Sequence, residues 1–326
     1  MSPALGHTQW AGCSFCNQKT IMSFCGESVL SLINNSVPRL LIIGAAGFLG
    51  SHALRECFGQ FDVLASSHRG DAGPGFLALD ISDAGSVKQV LHEVRPDLVL
   101  LLAAISDIDR CEALPELANN VNARGPEIVA NACAQCNARL LFTSSAAVFD
   151  GAKEGYREDD VRNPLSIYGK SKAAAEDAVL SLLPDSAVIL RPALVLGFGS
   201  RPGTNALLDR LFEKWRVGQS IAFPTRESRN PIDATTLGKV MLNLLKNSSV
   251  HGVYHVGSSD ALSRFQLGQR LAQRAGVSAD LVRPADQHMP GRAPRGEHHF
   301  LLTDKIRDQF HWDLGTSDAV IERCFS

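Results

Sequence analysis

The chain has 326 residues and a formal net charge of −2, with 45% hydrophobic and 20% charged side chains. This is the balance of an ordinary soluble globular protein, long enough for one large domain or two linked lobes. It holds no basic excess to recruit nucleic acid or an anionic membrane, and no run of the ~20 apolar residues that crosses a bilayer.

Residues 1–38 are rich in Ser, Asn and Cys and carry only Lys19 and Glu27 as charges. They lack the basic start and apolar core of a secretory signal. They read as a disordered extension, with Met22 as a possible start. The first apolar run, Arg39-Leu40-Leu41-Ile42-Ile43, ends at Gly44 and reads as a buried parallel strand. A helix is predicted over 48–58, then strands over 62–66 and 75–79. A helix over 86–94 stops at Arg95-Pro96-Asp97, and a fully apolar strand over 98–102 follows. Helical pattern runs over 115–136, with a break expected near Gly125-Pro126. A fifth strand spans 139–143, a helix 166–183, and a sixth strand 187–191.

After Pro192 the segments become shorter and more punctuated. Pro202-Gly203, Asn230-Pro231 and Met289-Pro290-Gly291 read as turns, and helices are predicted near 205–217 and 265–276. Strands alternating with helices imply an α/β doubly wound parallel sheet, a Rossmann fold, with ligands beyond the carboxyl ends of the strands. The expected organisation is an extension over 1–38, a dinucleotide-binding domain over 39–191 and a smaller substrate-binding lobe over 192–326. A segment near 229–257 is expected to return to the sheet.

Eight cysteines are scattered along the chain, unlike a disulfide scaffold. Cys133 and Cys136 read as small buried side chains on a helix. Cys13 and Cys16 form a second Cys-x-x-Cys pair within the extension. No metal site is expected, and the cysteine usage suits a reducing, cytoplasmic setting.

Three features carry chemistry. The turn Gly44-Ala45-Ala46-Gly47-Phe48-Leu49-Gly50 follows a strand and opens a helix. Glycine lets the backbone approach a pyrophosphate, and the helix N-terminus favours its charge. The second feature is Ser66-Ser67-His68-Arg69 after the second strand, with no acid before Asp71. An acid there would take the ribose hydroxyls of NAD, and a basic residue the phosphate of NADP. Ser67, His68 and Arg69 therefore favour NADP(H), with NAD(H) possible. Asp80 and Ile81 end the third strand near the expected adenine, and Ala103 and Ala104 leave room after the fourth.

The third feature is Tyr168 and Lys172, four apart on one helix face. A neighbouring ammonium favours the phenolate and draws the phenol's pKa down from ~10. Ser145, in Thr143-Ser144-Ser145, offers a hydroxyl beside them that can polarise a substrate carbonyl.

Together these residues resemble the extended short-chain dehydrogenase/reductase family. The glycine turn, Asp80-Ile81, Ala103-Ala104, Asn122, Ser145, Tyr168 and Lys172 occur in that family's order. Arg95-Pro96-Asp97, Asp109-Arg110-Cys111-Glu112, Val148-Phe149-Asp150-Gly151 and Tyr156-Arg157-Glu158-Asp159 are similar to the dTDP-4-dehydrorhamnose reductases within it.

The resemblance implies an NADPH-dependent reductase of a nucleotide-linked 4-keto sugar. Tyr168 would be its acid/base, Lys172 would hold the ribose, and Ser145 would bind the substrate oxygen. Gly44, Ala46, Gly47, Phe48, Leu49, Gly50 and Asn122 would join the cofactor site. Ser106, Ser145, Ala146 and Arg229 would join the substrate site, with Arg201 or Arg292 meeting a diphosphate. A homodimer is possible. The alternatives are a nucleotide-sugar epimerase using bound NAD(P) and a non-catalytic nucleotide-binding regulatory subunit. Ala146-Ala147 stands where such reductases usually carry Asp-Tyr, which leaves the grip on the substrate open. It also lacks the acid pair that sugar dehydratases use.

Overall fold

The computed structural model describes residues 37–70, 72–200, 204–285 and 291–326. Its centre is a seven-stranded parallel sheet. β1 (Arg39–Ile43), β2 (Asp62–Ser67), β3 (Phe76–Ala78), β4 (Leu98–Leu101), β5 (Arg139–Thr143) and β6 (Ala187–Pro192) are joined by the strand Gly252–Val256. The spatial order is Gly252–Val256, β6, β5, β4, β1, β2, β3. Order therefore reverses between β1 and β4, which opens a crevice at their carboxyl ends. The returning strand pairs with β6, Tyr254 against Leu190.

Successive side chains on a strand point to opposite faces, and both faces here are covered. Leu40, Ile42, Leu98, Leu100 and Leu190 pack under helix Phe48–Cys57 and helix Ala234–Lys246. Leu41, Ile43, Val99, Leu101 and Ile189 pack under helices Ala84–Val94, Gly125–Cys136 and Ile167–Leu182. That explains the unbroken apolar runs of β1 and β4, whose Leu and Ile side chains are essentially buried. Each such side chain contributes ~1.5–3 kcal/mol.

Several expectations need correction. No break occurs at Gly125-Pro126, because a π-helical turn over Asn120–Arg124 links the flanking α-helices. The wider turn lets the Gly125 N–H reach the Asn120 carbonyl, and Pro126, which has no N–H, falls in the first turn of the next helix. Asn230-Pro231 is not a surface turn. Asn230 is fully buried, and its carboxamide donates to the Ser258 and Leu301 carbonyls and accepts from the Leu301 N–H. Helices Ile108–Ala113, Ala234–Lys246, Asp304–Phe310 and Ser317–Cys324 stand where none was predicted. The calls on residues 1–36, on Asp71, on Arg201-Pro202-Gly203 and on Met289-Pro290 lie outside the described residues.

A third cluster joins helices Leu207–Arg216, Arg264–Arg274 and Ser317–Cys324 through Leu211, Trp215, Leu271 and Val320. It supports short strands, including Ser228–Arg229 and His298–His299, that border the crevice.

Candidate active site

A cavity of about 860 Å³ lies at the carboxyl ends of the strands and reaches into the C-terminal segments. At one end it is lined by Gly44, Ala46, Gly47, Phe48, Leu49 and Gly50. Gly44 takes φ +89°, and a Cβ at Gly50 would stand 2.2 Å from the Gly44 carbonyl oxygen. The turn is thus too tight for side chains at these points. No side chain caps helix Phe48–Cys57, whose N-cap is Gly47, so its first N–H groups are available to an anion.

Three strand-end hydroxyls, that of Ser67 on β2 and those of Thr143 and Ser144 at the end of β5, are buried without a hydrogen-bond partner. Leaving such groups unpaired is costly. A glycine cradle with orphaned hydroxyls on β2 and β5 fits a polar dinucleotide lying across the strand ends.

The remaining predicted cofactor residues divide. Ala104 lines the cavity. Ala103 instead packs against the glycine turn, where a Cβ on Gly44 would meet its nitrogen at 2.6 Å. His68 and Arg69 are exposed, with His68 Nδ1 3.9 Å from Asp80. Ile81 is buried against Gly125. Asn122 is fully buried away from the cavity lining. Its carboxamide accepts from the Ile105 N–H at 2.8 Å and donates to the Ile105 carbonyl at 2.9 Å, bracing the loop after β4.

Tyr168 and Lys172 both line the cavity from helix Ile167–Leu182. Ser166 caps that helix by accepting from the Gly169 N–H, and Glu112 accepts from the Ile167 N–H. Gly169 lets the helix press onto the turn after β5, since a Cβ there would meet the Ala147 carbonyl oxygen at 2.1 Å. Ser145 lines the cavity beside Tyr168, and its hydroxyl accepts from the Ala147 N–H.

Here the expected electrostatics are corrected. Burial pushes the Tyr168 phenol up to about 12, while a hydrogen bond with Ser145 pulls the other way. Lys172 does not draw it down. Its ammonium donates to the Thr143 carbonyl at 2.9 Å, lies over the Phe142 ring, and is itself pushed down to about 8 by burial. The i, i+4 spacing put both groups on one face, but desolvation of the phenolate outweighs the neighbouring charge.

The far end of the cavity is rich in arginine. Ser106 lines it and accepts from the Asn205 carboxamide. Arg229 lines it too, but its guanidinium donates to the carbonyls of Ser228, Gly296 and Glu297 and lies 3.5 Å from Glu227. Arg292 makes a two-pronged pair with Glu227, and Arg295 one with Asp109. Ala146 is buried with Val148, Phe149, Tyr156 and Leu301, and Ala147 faces the cavity instead. Sequence reading missed Asp109, Arg210, Glu227, Arg264 and Arg295 as cavity residues. They are far apart in the chain, and only the fold brings them together.

Among the described residues no cluster of His, Cys, Asp and Glu is arranged to hold a metal, and no helix is long and apolar enough to cross a membrane. Cys133 is fully buried in the sheet's helical layer, where burial pushes its thiol up.

Residues 38–326 match the family model described as the RmlD substrate binding domain. The dTDP-4-dehydrorhamnose reductase of Aggregatibacter actinomycetemcomitans is 36% identical over 84% of this chain and 94% of its own length. The methionine adenosyltransferase 2 subunit beta of Xenopus tropicalis is 30% identical over 79% of this chain and 78% of its own. Among solved structures, the dTDP-4-dehydrorhamnose reductase from Bacillus anthracis in complex with NADP superposes with a TM-score of 0.81 at 26% identity. That match covers 89% of this chain and 99% of the other.

Proposed function

This chain belongs to the RmlD substrate binding domain family, and from that premise we propose that it is an NADPH-dependent reductase of a nucleotide-linked 4-keto sugar. The observation that carries the reading is the shared cavity, whose lining includes the glycine turn together with Ser145, Tyr168 and Lys172. The Aggregatibacter dTDP-4-dehydrorhamnose reductase and the NADP complex of the Bacillus anthracis one support it.

In this reading the turn from Gly44 to Gly50 and the N-terminus of helix Phe48–Cys57 hold the pyrophosphate. Ser67 and the exposed Arg69 favour the extra phosphate of NADPH, while Ser144 and Lys172 meet its other end. NADPH, when bound, supplies a hydride. Ser145 donates a hydrogen bond to the keto oxygen, and Tyr168 delivers its phenolic proton there as the carbonyl becomes an alcohol. A phenol pushed up to about 12 is protonated at neutral pH, the form that reduction needs. Lys172 keeps Thr143 and the end of β5 in register with the tyrosine helix.

We read 39–191 as the dinucleotide-binding domain, with 229–257 returning to it, and the rest of 192–326 as the substrate lobe. A homodimer in a reducing cytoplasm belongs to the same proposal. The five described cysteines, all free, support the reducing setting.

The Xenopus relative is named as a subunit, which keeps a second reading in play, a non-catalytic nucleotide-binding regulatory subunit. The test is NADPH consumption with dTDP-4-dehydrorhamnose. Stoichiometric oxidation supports the reductase. Tight NADPH binding without turnover on any keto sugar supports the subunit. Isomerisation without net oxidation points to an epimerase.

A further inference from the structure

Two carboxylates on one short helix hold two different neighbours of the cavity. The helix is Ile108–Ala113, capped by Asp107, whose side chain accepts from the Arg110 N–H at 3.0 Å. Asp109 and Glu112 stand three apart on it and so lie close together. Asp109 lines the cavity. Its carboxylate accepts from the Ala293 N–H at 2.8 Å and takes both prongs of the Arg295 guanidinium at 3.0 Å. Glu112 accepts at 3.0 Å from the Ile167 N–H, the first of the helix whose next residue is Tyr168.

Residues 292–297 lie outside any helix or strand, and Arg292, Pro294, Arg295 and Gly296 line the cavity. They form a strap that is held differently along its length. At Gly296 it is fixed by shape, since a Cβ there would stand 2.2 Å from the Asp150 carbonyl oxygen. At its other end Arg292 pairs with Glu227. Between them, Ala293–Arg295 is gathered around the Asp109 carboxylate, and Arg295 also donates to the Ala293 carbonyl at 2.9 Å. Burial opposes ionisation of Asp109, but Arg295 and the Ala293 N–H hold its carboxyl below the ordinary carboxylate range.

The same helix packs on the catalytic one. Cys111 is fully buried in a small cluster with Ala118 and Tyr168, edged by Ile105, Ile108 and Ile167. Close-packed interiors transmit displacement. A shift of this helix at Asp109 therefore reaches the turn that carries Tyr168 through Glu112 and Cys111. We propose that Asp109 and Glu112 are positioning residues. Asp109 latches the strap 292–297 as a wall of the cavity, and Glu112 passes the latched position of the helix to Tyr168. The reaction they serve rests on the reductase reading above. The latch rests on the contacts alone.

The test uses the full chain and hydrogen exchange, read by mass spectrometry over segments 292–297 and 165–172. Asp109→Ala should raise exchange in the strap by about tenfold or more, and raise it in the first turn of the tyrosine helix as well. Glu112→Ala should raise it in that turn alone. In turnover with NADPH and dTDP-4-dehydrorhamnose, Asp109→Ala should raise KM for the sugar nucleotide and lower kcat. Glu112→Ala should lower kcat by about tenfold with KM nearly unchanged. Glu112→Gln, which keeps an acceptor for the Ile167 N–H, should recover most of that loss. Because both residues act through one helix, their kcat losses should not multiply in the double variant.

Strap exchange like wild type in folded Asp109→Ala overturns the latch, and kcat losses that multiply overturn the coupling. If Asp109→Ala does not fold, Arg295→Leu breaks the pair from the strap side and must release the strap. Unchanged exchange there overturns the proposal equally. The two readings fail separately. Strap and helix both released in Asp109→Ala, with no wild-type turnover, keeps the coupling and removes the reductase. Wild-type turnover with unchanged exchange in Asp109→Ala keeps the reductase and removes the latch.

Discussion

Acidification should destabilise this protein well above the range where carboxylates titrate, because of two buried imidazoles. His255 is fully buried. Its Nδ1 faces the Tyr156 carbonyl at 3.2 Å, and its Nε2 lies 3.3 Å from Arg191 Nη1. With the ring proton on Nδ1, Nε2 accepts from Arg191. A second proton would set two cations against each other. His299 is likewise buried, with Nε2 on the Phe149 carbonyl and the Arg229 charge nearby. Burial, then the arginine, pushes each histidine down to about 3.

The unfolded chain binds these protons near pH ~6.5. A depressed folded pKa gives stability that is present above the unfolded value and lost as pH falls toward the folded one. At pH ~5 each histidine should cost about 2 kcal/mol relative to pH ~7, or about 4 kcal/mol for the pair. Urea unfolding at the two pH values measures the loss, and His255→Gln should remove about half of it. Carboxylates do not obscure the window, since their unfolded values lie near ~4. A stability flat between pH ~7 and ~5, or a His255→Gln protein with the full wild-type loss, would refute the reasoning.

Other expectations follow from the same contacts. Gly50→Ala places a Cβ 2.2 Å from the Gly44 carbonyl oxygen, so the turn must open. NADPH affinity should fall at least about tenfold by fluorescence titration, and an unchanged Kd would contradict the cradle. Glu176 is fully buried and takes two hydrogen bonds from Arg191 and one from Arg162. Glu176→Gln strands the Arg191 charge and should cost about 3–5 kcal/mol in urea unfolding. A loss below about 1 kcal/mol, the scale of an exposed pair, would show that the network is not needed.

Much of the fold was legible because its signals are local. The apolar runs of β1, β4 and β5 are buried on both faces, so they appear as unbroken runs in the sequence. The tyrosine helix announces itself through Ser166 and the spacing of Tyr168 and Lys172. Helix Ala234–Lys246 was missed although Asp233 caps it and Leu237, Met241, Leu244 and Leu245 repeat at helical spacing. The Gly/Pro punctuation around it drew the reading toward loops. Asn122 sits in the expected order along the chain, yet its carboxamide is spent on the Ile105 backbone. The arginine-rich end was illegible for a different reason. Its arginines come from two helices, one short strand and the loop before strand His298–His299, and whether an arginine is free or committed depends on carbonyls that no spacing reveals. The pKa of Tyr168 was misjudged because depth of burial is a property of the whole fold, while charge spacing is local.

The most direct test of the central claim is turnover by Tyr168→Phe, with NADPH and dTDP-4-dehydrorhamnose held at saturation. Losing the phenolic proton while keeping the ring should cut NADPH oxidation by about 10²–10⁴-fold and leave NADPH binding intact. Wild-type turnover in that variant would contradict the assignment of Tyr168 as the proton donor.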